Sequence, residues 1–103
     1  MKVSFATDEL QELYETPLTH LKGKRKYPHD IIKQYKKKVQ LLIAVRKMED
    51  LLPFKSLHFE YLKGDKKGQC SIRLNDQYRL ILVPVSEDKI QIVIVNEISK
   101  HYE

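Results

Sequence analysis

The sequence predicts an α+β fold in which two N-terminal helices pack on one face of a four- to five-stranded antiparallel sheet. Three observations carry that reading. Apolar residues recur at helical spacing through the first half of the chain; the spacing drops to two at Leu57 and stays there; and the second half is broken only by turn signals too short to hold a crossover helix. With 103 residues the chain is expected to form a single domain, residues 1–103, with one core. No Pro/Gly/Ser-rich linker, internal repeat or low-complexity segment interrupts it.

Lys2 to Ala6 alternates and predicts a short first strand with Val3 and Phe5 on one face. Thr7 is placed to cap a helix, Asp8 and Glu9 occupy the first turn where the helix dipole favours acids, and Leu10, Leu13 and Tyr14 form an apolar stripe that ends before Pro17. Residues 16–27 have no periodicity and predict a basic loop. Pro28 suits the first turn of a second, longer helix whose pattern runs Ile31, Ile32, Tyr35, Val39, Leu42, Ile43 and Met48 to an end around Asp50 to Pro53. Residues 41–45 are apolar all round and predict burial under the sheet. A strand is then expected over 57–61, with Leu57, Phe59 and Tyr61 facing one side and His58 and Glu60 the other. Next comes a strand with Cys70, Ile72 and Leu74 opposed to Gln69, Ser71 and Arg73, an Asn75-Asp76 turn, a strand from Gln77 to Val85, a turn at 86–89, and a last strand from Ile90 to Val95.

Lysine and arginine exceed the acids by five, and the sequence pI of about 9.3 points to an anionic partner. Basic clusters stand at Lys22, Lys24, Arg25 and Lys26 in the loop and at Lys36, Lys37 and Lys38 on the second helix; each is either a nucleic-acid contact or a solvated surface. A lone Cys70 forms no internal disulfide and fits a reducing compartment. No signal-peptide core or apolar run of membrane-spanning length is present, so a cytoplasmic location and no membrane partner are expected. The four histidines and one cysteine lack zinc-type spacing, and no Gly-rich loop opens a helix, so neither metal nor cofactor is expected.

The most informative stretch is residues 62–82: a basic loop bounded by Gly64 and Gly68, a short strand, the Asn75-Asp76 turn and an apolar strand that carries Arg79. An arginine inside an otherwise apolar strand must be paired or face a polar cleft; a salt bridge to Glu60 or Glu97 and a clamp on phosphate both meet that demand. Lys63 begins the loop, and Arg73 lies across the turn from Arg79.

The run L-K-G-D-K-K-G-Q-C-S-I-R-L-N-D-Q-Y-R-L resembles the central hairpin of the HigB branch of the RelE/ParE toxin superfamily, the plasmid maintenance killer proteins. The resemblance is of letters over 57–82 and of pattern elsewhere. It implies a RelE-like fold and a type II toxin that, as a ribosome-dependent endoribonuclease, cleaves mRNA without a metal. It implies Arg79 and Lys63 in the active site and Arg73 on the RNA backbone, with the ribosome, mRNA and a HigA-like helix-turn-helix antitoxin as partners.

Such cleavage needs a base for the 2′-hydroxyl, an acid for the leaving 5′-oxygen and cations for the phosphorane. Glu60, His58, Glu97 and His101 are the candidates for proton transfer. Family members typically end their last strand with Asp-Tyr-His, and this chain departs from that ending. Glu97 takes the aspartate's place by strand position, Ile98 and Ser99 stand where Tyr and His would be, and His101 and Tyr102 follow later. Two other readings stand beside the nuclease: a non-enzymatic gyrase inhibitor of the ParE kind, and an RNA-binding module with a decayed catalytic tail.

Overall fold

The computed structural model describes residues 1–21 and 26–100, and among these residues are five strands, two helices and four single 3-10 turns. In chain order they are β1 (Lys2–Phe5), α1 (Asp8–Glu15), α2 (His29–Ala44), β2 (Glu60–Tyr61), β3 (Cys70–Arg73), β4 (Tyr78–Glu87) and β5 (Ile90–Lys100). The sheet order is β1-β5-β4-β3-β2. From β2 to β5 every neighbour is antiparallel, whereas β1 joins the far edge parallel to β5, with Lys2 opposite Ile92 and Phe5 opposite Val95. The two helices lie in the β1 to β2 connection, which is what allows β1 to return to the opposite edge in the parallel sense.

Local chemistry explains the helices. The Thr7 hydroxyl accepts the Leu10 amide at 3.2 Å, and Asp8 and Glu9 follow in the first turn of α1. Along α2, Ile31, Tyr35, Val39 and Leu42 repeat at three to four residues and are fully buried against Ile72, Leu80, Leu82, Val93 and Val95 of the sheet. The helices are tied together where the Tyr35 hydroxyl donates to the Leu10 carbonyl at 2.6 Å. Burial also pushes the Tyr35 phenol well above its usual range.

Two stretches differ from the sequence expectation. The second helix stops at Ala44, not near Asp50, because the Asp50 carboxylate accepts the Arg46 and Lys47 amides and opens a separate turn over Met48–Leu51. Residues 41–45 are accordingly not buried all round: Leu42 is buried while Ile43 is 49% exposed. In place of a strand over 57–61, Lys55–Leu57 forms a 3-10 turn ended by His58 in the left-handed region (φ 45°), and only Glu60 and Tyr61 pair with β3. His58 and Glu60 therefore do not share a strand face.

The last hairpin turns on Asp88 and Lys89, both at positive φ, as a two-residue turn matched to strand twist requires. Its strands are longer than expected, and β5 continues to Lys100. Between the pairs Ile81 with Glu97 and Leu82 with Val95 the register slips by one residue, which leaves Asn96 as a bulge. The slip matters, because it returns Ile98 to the core (7% exposed) and turns Glu97 to the other face. No helix among the described residues is long and apolar enough to cross a membrane.

Candidate functional site

The face of the sheet away from the helices carries the polar constellation. Cross-strand partners project to the same side, so registers assemble two rows: Glu60, Ser71, Ile81 and Glu97 in one, Arg73, Arg79 and Ser99 in the next. With strands about 4.8 Å apart, Glu60 and Glu97 stand roughly 14 Å from each other at the two ends of the first row.

Arg79 is aimed across this face by two neutral acceptors. Its Nε donates to the Ser71 hydroxyl at 2.9 Å, and its Nη2 donates to the His58 carbonyl. Ser71 is only 1% exposed and is held by the hairpin register, which the Asn75 side chain sets by accepting the Gln77 and Tyr78 amides at 2.8 Å each. The His58 carbonyl points where it does because that residue turns left-handed, a conformation that costs roughly 1 kcal/mol or more outside glycine. Neither Glu60 nor Glu97 neutralises the guanidinium. Among the described residues two of its five N–H donors are taken, which leaves three for a planar anion.

The other cations divide into spent and available ones. Arg73 pairs with Asp76 within its own turn. Lys66, in the turn at Gly64–Lys66, reaches over to Glu97 Oε1 at 3.4 Å; Gly64 (φ 65°) and Gly68 (φ 90°) supply the backbone that folds this loop onto the sheet. Lys63 opens the same turn and is exposed. Lys36 is held internally: its ammonium donates to the Tyr14 carbonyl at 2.6 Å and to the Thr16 carbonyl, closing the end of α1, and burial lowers its pKa. Lys37 is exposed, while Lys38 is half-buried against Gln34, its pKa lowered by burial and then by Lys37 and Arg73. Lys26 lies 3.9 Å from Glu9 and 5.6 Å from the centre of the Tyr27 ring. Lys22, Lys24, Arg25 and His101 lie outside the described residues.

No cluster of three or more His, Cys, Asp or Glu side chains suited to a metal occurs among the described residues. Cys70 faces the core, where burial pushes its thiol up to about 12 and leaves it unreactive. Hollows of about 390 and 440 Å³ lie on the helix side around Tyr27; Ser71, Arg73 and Arg79 line neither.

Three features of this face escape sequence reasoning. Strand parity places Ser71 on a face but gives it no role, although a serine two residues from Arg73 in a buried strand is the available signal. Lys66 is hidden among equivalent lysines, with the flanking glycines as its only mark. The Gln69 side-chain oxygen, two residues before Ser71, is buried without a hydrogen-bond partner among the described residues.

Comparison with known proteins gives the family and the fold. A family model described as the RelE-like toxin of the type II toxin–antitoxin system HigB matches residues 3–96. Toxin HigB-1 of Vibrio cholerae serotype O1 is 37% identical over 81 residues, which span 79% of this chain and 81% of that relative. In fold the chain is similar to a YoeB/ParE toxin from Agrobacterium tumefaciens (TM-score 0.55, 18% identity, 99% of this chain and 100% of that one). It is also similar to a YoeB-YefM complex from Staphylococcus aureus (TM-score 0.51, 18% identity, 100% and 97%). The family match runs from the first strand to the Asn96 bulge and takes in Arg79, Ser71 and the glycine-bounded loop, and by it this chain belongs to the HigB family of RelE-like toxins of type II toxin–antitoxin systems.

Proposed function

We propose that this toxin is an endoribonuclease that cleaves mRNA in the ribosomal decoding site by attack of the 2′-oxygen on the adjacent phosphodiester, without a metal ion. The observation that carries the reading is the Arg79 guanidinium, which among the described residues is anchored by a hydroxyl and a carbonyl and pairs with no carboxylate. A cation oriented by neutral acceptors is suited to a phosphate whose charge grows in the transition state.

Around it the roles divide by position. Glu60 is the register partner of Ser71 on the edge strand, beside the anchored guanidinium, and acts as the base for the 2′-hydroxyl. His58, whose carbonyl holds Arg79, supplies the proton to the leaving 5′-oxygen, and Lys63, joined by Arg73 once it leaves Asp76, steadies the flanking backbone. The ribosome aligns the 2′-oxygen with the phosphate. Exposed lysines such as Lys26 and Lys37, with Lys22, Lys24 and Arg25, dock on ribosomal RNA, so binding weakens steeply with salt. In the cytoplasm a HigA-like helix-turn-helix antitoxin holds the toxin silent.

The test is primer extension on translating ribosomes with the wild type and Arg79→Ala. Cleavage by the wild type that falls at least ~100-fold in the variant supports the reading. Equal cleavage by both, or none by either, contradicts it; growth arrest with intact mRNA and impaired supercoiling would point to gyrase instead.

A further inference from the structure

The loop between β2 and β3 does not stay at its own edge of the sheet. It springs from the β2 side, yet the Lys66 ammonium meets Glu97 on β5 at 3.4 Å, two strands beyond β3, or roughly 10 Å away at ordinary strand spacing. The reach crosses β4 above Ile81, the residue that stands between Ser71 and Glu97 in the first row. Ile81 is only 5% exposed. Arg79 approaches the same row from the other side through Ser71. Two cations thus flank one short apolar floor, one held by neutral groups and the other by a carboxylate.

We infer that Lys66 is a phosphate-contacting residue of this site, parked on Glu97 in the unbound protein and transferred to the RNA backbone when the strand lies across Ile81. Both partners of the ion pair remain substantially exposed, so solvent screens it and its hold is weak. An RNA strand presents a phosphate flanked by further phosphates, a stronger field for an ammonium than one screened carboxylate. A lysine is well matched to such a transfer, because its compact charge on a flexible stem can swing from one acceptor to another, whereas Arg79 is fixed by its fork. Glu97 then acts as a positioning residue that holds the loop over the sheet before the substrate arrives. The inference takes the identity of the polyanion from the nuclease reading and nothing else.

The experiment measures affinity, against salt, for ribosomes programmed with mRNA that carries a 2′-O-methyl group in the decoding site. Lys66→Gln, Lys66→Arg, Glu97→Gln and the Lys66→Gln/Glu97→Gln pair are compared, with thermal melts to confirm folding. Lys66→Gln should bind about 10-fold more weakly and lower the slope of log K against log salt by about 0.7, one phosphate contact, and Lys66→Arg should restore most of both. Glu97→Gln should tighten binding by up to about fivefold in the presence of Lys66 and have little effect in its absence. A folded Lys66→Gln protein with unchanged affinity and slope overturns the inference, as does a Glu97→Gln effect independent of Lys66. A parallel assay on unmodified mRNA separates the two ideas: binding without cleavage by the wild type sinks the nuclease reading and leaves Lys66 to be judged on the slope, and no binding at all overturns both.

Discussion

The two faces of the sheet are built from the same strands and obey opposite rules. On the helix side, Ile72, Leu80, Leu82, Val93, Val95 and Ile98 are interchangeable in kind, each contributing through the apolar area it removes from water, about 1.5–3 kcal/mol apiece. On the open side, Ser71, Arg79, Lys66 and Glu97 are individually specified by hydrogen bonds and charge, and the His58 backbone is strained to complete the set. One face sets stability and the other gathers the polar and charged groups; the bulge at Asn96 decides which residues of β5 belong to which.

The strongest challenge to this division is to exchange the two residues that the bulge sorts. Glu97→Ile together with Ile98→Glu would put a carboxylate opposite Leu80 in the core and an isoleucine on the open face, at a cost on the order of 5 kcal/mol. The expected outcome in urea unfolding is loss of the cooperative transition. A variant as stable as the wild type would show that the bulge does not sort the faces.

His58→Gly separates strain from chemistry at a single position. Glycine relieves the positive φ while keeping the carbonyl that anchors Arg79, so stability should rise by about 1 kcal/mol. Loss of the imidazole as proton donor should lower single-turnover cleavage by roughly 10²–10⁴-fold. Full activity in this variant would confine His58 to its backbone role.

A smaller effect tests the unpartnered oxygen. Gln69→Met removes a buried acceptor that nothing in the described residues satisfies, and it should stabilise the protein by about 1 kcal/mol in thermal melts. If the oxygen serves the substrate, cleavage should fall at the same time; equal stability and equal cleavage would mean that solvent already satisfies it.

How much of this is legible in the sequence follows from the kind of signal each feature carries. The helices, the hairpins and the core residues are readable because periodicity and turn residues report burial directly: Thr7, the Ile31 to Leu42 stripe and Asn75 each do in space what their types suggest. Arg79 is readable for the complementary reason, as a charge in an apolar strand. The parallel pairing of β1 leaves no local trace, because partners across the sheet are chosen by the whole topology. His58 defies its alternating pattern because a 3-10 turn bends the chain before the strand begins. Lys66 and Ser71 acquire meaning only through residues far away in sequence, Glu97 and Arg79, which no single-chain pattern links.

The most direct test of the central claim is single-turnover cleavage of decoding-site mRNA by Arg79→Lys. This substitution keeps the positive charge but removes the fork and both of its anchors at Ser71 and His58. Cleavage should fall by at least about 100-fold with little change in melting temperature. Cleavage within about threefold of the wild type, in a folded protein, would show that an oriented guanidinium is not what holds the scissile phosphate.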